Sequence, residues 1–117
     1  MAGLVMSLVE KIKQARVLRI KVGEMTFIAR RPTVEEYSIL AKDSTRDPDI
    51  ARRFVAGWEN VKESDLFPGG GDEQIAFDAD LWSEAVGDLP EIWREIVGAL
   101  ITATNEHIKK LGTAEKN

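Results

Sequence analysis

Cysteine is absent from this chain of 117 residues, and histidine occurs once, at His107. Without cysteine there is no disulfide, no zinc thiolate site and no cysteine nucleophile, and the composition fits a reducing compartment. One histidine cannot make a histidine metal site, and its place late in a predicted helix favours a surface residue whose charge the helix C-terminus tolerates. The sequence therefore predicts no catalytic residue, no metal site and no cofactor site.

Long apolar runs and an excess of positive charge are also absent. The formal net charge is -4, and the sequence contains no stripe of lysine and arginine that could offset this charge locally. We therefore expect the chain to repel nucleic acid. Ser7, Glu10 and Lys11 interrupt the apolar N-terminus, which shows no basic leader and no small-residue cleavage site. We expect no export signal, no membrane association and a cytoplasmic protein.

Three patterns that can signal a ligand site have ordinary explanations in this chain. Two acids follow the glycine run at 69–71 where a Walker loop needs lysine and a hydroxyl residue. The nearby carboxylates miss the spacing of an EF-hand, and Asp78 is placed to cap a helix, which favours solvated loop acids over a calcium site. Arginine pairs at 30–31 and 52–53 are typical of solvated edges or salt-bridge partners.

The length and the apolar content are those of one small globular domain. With 44% hydrophobic and 31% charged residues, the chain can bury a single core and needs no lipid to do so. We assign residues 1–111 to one domain. Residues 112–117 hold no large apolar side chain and are predicted to form a flexible C-terminal tail.

The hydrophobic patterns predict an α+β fold, mainly helical, with an N-terminal β-hairpin and a long C-terminal helix. Alternating β-branched residues over 17–30, around a turn at Gly23, predict the hairpin. Thr33 and Glu36 form a capping box that begins a helix. At 47–48, an aspartate as cap and a proline in the first turn predict the next helix, which should end near residue 57.

The second half of the chain is predicted to contain an irregular segment and then two helices. Residues 58–77 hold the glycine run, which predicts an exposed, mobile loop, and a short strand at 75–77. Asp78 caps the following helix. Pro90 begins the last one, in which apolar residues recur three and four apart over about five turns.

Apolar residues in three places are candidates for contacts with another protein. The N-terminal helix carries one apolar stripe, which either packs on its own domain or enters a groove of a partner. The tryptophans fit either the core, which is the simpler explanation, or an interface hot spot. Together with a phenylalanine of the glycine loop, the candidate partner-binding residues are Leu4, Leu8, Ile12, Trp58, Phe67 and Trp82.

Several short segments, in order, resemble the tail assembly chaperones of long-tailed bacteriophages. The matching segments are Phe27-Ile-Ala-Arg-Arg-Pro-Thr33, Glu35-Glu36, Val55-Ala-Gly-Trp58 with Val61, Ile75-Ala-Phe-Asp78 with Leu81, and Asp88-Leu-Pro90. They lie within residues 17–111. An acidic loop at 62–73 and the extra N-terminal helix depart from the compact pattern of that family.

The resemblance implies a helper that is not part of the virion. Such a protein binds the long helical tape measure protein in the cytoplasm of the bacterial host, prevents its aggregation and helps to recruit the tail tube protein. The family often adds a longer frameshift product, and the ending Glu115-Lys116-Asn117 is compatible with an adenine-rich slippery sequence. Self-association into a homo-oligomer is compatible with this role, whether the gene belongs to a phage or to a prophage.

Two alternatives stay open at this point. A structural head–tail connector or tail terminator subunit is also a small α+β protein without catalysis, and it would assemble into rings. An enzyme would need chemistry by carboxylates or hydroxyls, for example with a metal near Asp78 and Asp80.

Overall fold

A computed structural model describes residues 6–116 of the chain, and the side chains of residues 6–112. The elements in chain order are α1 (Leu8–Ala15), β1 (Val17–Val22), β2 (Met25–Arg30), α2 (Val34–Lys42), α3 (Asp47–Phe54), β3 (Val55–Glu59), α4 (Glu63–Leu66), α5 (Ala79–Ala85) and α6 (Pro90–Lys116), with a 3₁₀ turn at Val86–Asp88. The α+β fold with an N-terminal hairpin and a long C-terminal helix is confirmed.

The sheet is antiparallel, with the strand order β1-β2-β3. Gly23 takes the positive φ of 61° that the tight turn between β1 and β2 requires. Ile20, Phe27 and Trp58 lie opposite one another on the three strands and face the core. The side chains of β-strands alternate between faces, so the other face of the sheet carries the remaining positions of each strand.

The third strand was not predicted. The sequence pattern extended α3 to about residue 57, whereas α3 ends at Phe54 and Val55 begins β3. Residues 55–59 form a strand because they can pair with the edge of β2 that β1 leaves free. This pairing provides hydrogen-bond partners for their backbone groups. A short apolar run does not reveal that opportunity locally.

Helix starts follow the predicted caps at two positions and differ at a third. Thr33 Oγ1 accepts the Glu36 N–H at 3.0 Å while a Glu36 carboxylate oxygen accepts the Thr33 N–H at 2.9 Å, which confirms the capping box. Asp78 caps α5 as predicted. Asp47 is the first residue of α3 rather than its cap, because Arg46 occupies the cap position without a side-chain hydrogen bond.

The segment after α4 closes back on itself through backbone contacts. The predicted strand at 75–77 is not formed; Gln74 makes one isolated bridge with Lys62 instead. Gly70 lies so close to α4 that an added Cβ would stand 2.6 Å from the carbonyl group of Glu63. The loop is exposed as predicted, and its mobility stays a prediction.

The core lies between the inner face of the sheet, α3, α5 and the first half of α6. Phe27 and Trp82 have their ring centroids 5.4 Å apart, and Trp58 meets both rings edge-on or nearly so. From α6, Ile96 and Leu100 are fully buried against this group. The helical conformation continues past residue 111 to Lys116, and the flexibility of residues 112–117 stays a prediction.

Candidate protein-binding surface

Helix α1 presents an apolar stripe to solvent. Leu8, Val9 and Ile12, hereafter the α1 stripe, are 72%, 61% and 47% exposed, and none of the eight residues of α1 is buried. Ser7 begins the helix by accepting the Glu10 N–H at 3.1 Å. For these residues, the alternative in which the stripe packs on its own domain is therefore wrong. Leu4, the other stripe candidate, lies outside the described residues.

An exposed helix of this length gains little stability from its own chain. Isolated helices shorter than about 12–15 residues are marginal in water, and α1 has eight residues. Full burial of one leucine or isoleucine side chain contributes roughly 1.5–3 kcal/mol, which the α1 stripe does not obtain in full from this fold. A partner that covered the stripe would supply that free energy.

A groove joins the base of α1 to the outer face of the sheet and to α2. It has a volume of about 840 Å³, and we refer to it as the sheet groove. Its walls include Val17 and Ile39, which are 50% and 47% exposed, and the half-buried Ile28 of β2. Apolar side chains of β1, β2 and α2 thus form part of this groove, and α1 contributes Lys13 to it.

A second groove, between α2, α3 and α6, is smaller and more apolar. It has a volume of about 220 Å³, and its walls include Tyr37, Leu40 and Ile50. Ile101 stands at its rim, 39% exposed. The exposed apolar residues Ile108 and Leu111 follow along α6 at spacings of seven and three, which place them on the same side of that helix as Ile101. We refer to the groove between α2, α3 and α6 as the helix groove.

The predicted aromatic contacts separate into two classes. Phe67, beside the glycine run, is 50% exposed and available to a partner. Trp58 and Trp82 are only 7% and 1% exposed, so they are core residues and the interface interpretation is withdrawn for both. Their indole N–H groups are satisfied inside the fold, by the backbone carbonyls of Ile75 at 2.7 Å and Ala51 at 3.1 Å.

Three of the four arginines in the predicted pairs have acidic partners. Glu36 accepts two hydrogen bonds from Arg30, at 2.6 and 3.1 Å, and one from Arg53 at 3.3 Å. The hydrogen bond from Arg30 is the largest cause that lowers the pKa of Glu36 to about 2. Arg52 bonds Asp49 at 2.6 Å. The salt-bridge interpretation is confirmed for these arginines.

Arg31 is different, because its surroundings are positive. Its guanidinium donates to the carbonyl of Pro32 at 2.7 Å, and its pKa is lowered by burial and by Arg16. The pKa of His107 is lowered by burial and by the positive charges of Arg31, Lys110 and Arg16. We call Arg16, Arg31, His107 and Lys110 the cationic cluster. Arg16 follows α1, Arg31 follows β2, and His107 and Lys110 belong to the distal half of α6.

Among the side chains of residues 6–112, no group of three or more His, Asp or Glu residues is arranged to hold a metal ion, and this includes Asp78 and Asp80. None of the helices within residues 6–116 is long and apolar enough to cross a membrane. The absence of catalysis stays a prediction.

The exposed apolar stripe, the two grooves and the cationic cluster are the features that bear on function. The resemblance to tail assembly chaperones stays a prediction. Comparison of the chain with protein-family models, curated proteins and solved structures finds no match.

Proposed function

We propose that this protein is a non-enzymatic assembly chaperone of a phage tail. It acts in the bacterial host cytoplasm, binds helical segments of the tape measure protein through the α1 stripe and the sheet groove, and helps to recruit the tail tube protein. A longer frameshift product would carry the same domain and the same surface.

The single observation that carries this proposal is the exposure of the whole α1 helix. A capped amphipathic helix with its apolar side in water is suited to pair with another amphipathic helix. Leu8 and Ile12 lie one turn apart on that side, as the i and i+4 positions of a helix–helix contact. The tape measure protein of the resembled family is a long helical protein that offers such partners.

The grooves and their charged margins support the same role. The sheet groove is apolar along Val17 and Ile39 but is bordered by Glu35 and by the ion pairs of Glu36. Charged margins keep an exposed apolar surface soluble, while the apolar floor contributes most of the binding free energy. A chaperone that holds its client and later releases it needs both properties.

Co-expression with the tape measure protein encoded beside this gene tests the proposal. We expect the tape measure protein to become soluble and to co-purify with the wild-type chain. Ile12→Asp, which places a charge in the α1 stripe, should abolish co-purification while leaving the fold intact, because Ile12 is already 47% exposed. Gln14→Asp is the matched control, since residue 14 lies on the opposite side of α1.

Two results would contradict the proposal. One is equal recovery of the tape measure protein with Ile12→Asp and with Gln14→Asp. The other is a tape measure protein that stays insoluble while the purified wild-type chain assembles into stable rings, which would favour the structural connector or terminator instead.

A further inference from the structure

Arg31 is largely buried, and no side chain within residues 6–112 gives it a counter-ion. Its residue is 8% exposed, and among the described side chains no carboxylate lies within 4.0 Å of its guanidinium. The carbonyl of Pro32 accepts one of its five N–H groups. Arginine is seldom buried unless it is paired, because the transfer of a charge out of water is costly. The guanidinium nitrogens of Arg31 that lack a hydrogen-bond partner are not fully enclosed by the described protein atoms, so a ligand with negative charge can reach them and offset the cost of partial burial.

The neighbours of Arg31 make the site more positive. The Arg31 N–H donates to the carbonyl of Arg16 at 2.7 Å, which extends the β1–β2 ladder by one pair and places both side chains on the same face of the hairpin. From α6, His107 and Lys110 add to this charge, and burial together with these cations lowers the pKa of His107. Glu106, the adjacent acid on α6, lines the groove beside β1 instead.

We propose that the cationic cluster binds a carboxylate side chain of the partner protein. This inference rests on the proposed function and specifies the chemistry of the client: an amphipathic helix with an acidic residue between its apolar positions. The planar fork of a guanidinium matches the two oxygens of a carboxylate, and such charge-assisted hydrogen bonds are about twice as strong as neutral ones.

The apolar surroundings favour a protein carboxylate over a small free anion. Ile108 and Leu111 are exposed on α6 next to His107 and Lys110 in the sequence, and the α1 stripe ends at Ile12, four residues before Arg16. A free anion would use only the charges. A client helix would use the charges and the apolar side chains together, as specific interfaces do.

Nuclear magnetic resonance titration of the full chain tests the site directly, because His107 is the single histidine and gives one set of ring signals. The probe is N-acetylglutamate amide, which carries one side-chain carboxylate; the matching glutamine derivative is the neutral control. At constant ionic strength we expect saturation with a dissociation constant on the order of 1–10 mM and an upward shift in the pKa of His107. The glutamine derivative should cause neither change.

Variants separate the site from general charge effects. Arg31→Gln should weaken binding of the glutamate probe about tenfold or more, because it removes a charge-assisted hydrogen-bond donor. Arg16→Gln, at a half-buried position, gives the same test if Arg31→Gln does not fold. Arg46→Gln is the control: its side chain is 82% exposed and is not among the cations that act on Arg31 or His107, so it should bind like the wild type.

The inference is overturned if the glutamate probe does not saturate, or if Arg31→Gln binds it as well as the wild type. Saturation by inorganic phosphate without saturation by the glutamate probe would also overturn it and would assign the site to free phosphate. If the glutamate probe saturates but the tape measure protein does not co-purify, the cationic cluster is a carboxylate site and the tape measure protein is not its partner.

Discussion

Glu36 joins more interactions than any other acidic residue that the structure describes, and its removal gives a quantitative test of the fold. It caps α2 through the Thr33 N–H and accepts hydrogen bonds from Arg30 and Arg53. Both guanidinium groups also lie over the ring of Phe54, at 4.7 and 5.3 Å. Glu36→Gln removes the charge but keeps an oxygen that can accept the Thr33 N–H, so it isolates the ionic contribution.

The expected magnitude follows from the pKa. A carboxyl group with a pKa lowered from 4.5 to about 2 gains roughly 3 kcal/mol of folding free energy from its charge. The side chains of Arg30 and Arg53 are 38% and 53% exposed, so solvent screening reduces this value, and we expect about 1–2 kcal/mol for Glu36→Gln at pH 7. Because the pKa is depressed, the stabilisation is present above pH 4.5 and is lost as the pH falls toward 2.

Urea denaturation followed by tryptophan fluorescence measures this difference as a function of pH. The gap between the wild type and Glu36→Gln should be constant from pH 7 to about 5 and shrink below pH 4.5. Glu35→Gln is the matched control, an exposed acid in the same helical turn whose carboxylate accepts no described hydrogen bond, and it should cost less than about 0.5 kcal/mol. A gap that is absent at pH 7, or unchanged at pH 3.5, would refute the reasoning.

Two further substitutions test the core and the glycine loop. Trp58→Phe removes the indole N–H that donates to the carbonyl of Ile75 at 2.7 Å and leaves that oxygen without its partner. The free energy of unfolding, measured in urea, should fall by about 1–3 kcal/mol. An unchanged free energy would mean that water replaces the bond. Gly70→Ala places a Cβ 2.6 Å from the backbone of α4 and should lower the melting temperature by several degrees. The Cβ of Gly71→Ala meets nothing within 4 Å, so this substitution should leave the melting temperature unchanged. Equal effects of the two substitutions would contradict the close approach of Gly70 to α4.

Local signals predicted the elements whose causes are local. The turn at Gly23, the capping box of Thr33 and Glu36, and the cap at Asp78 each depend on residues within three positions, and each is confirmed. The strand β3 and the unformed strand at 75–77 depend on which edge of the sheet is free, and local patterns do not contain that information. Both errors therefore concern pairing between segments distant along the chain.

The sequence by itself determined that α1 is amphipathic and that the chain has few groups for catalysis, because both follow from residue types and their spacing. Only the tertiary structure decided that the α1 stripe stays in water while Trp58 and Trp82 fill the core, since burial depends on what the rest of the chain covers. The same holds for Arg31. Its sequence neighbours suggested an ordinary surface pair, yet folding gave Arg30 an acidic partner and placed Arg31 among other positive charges.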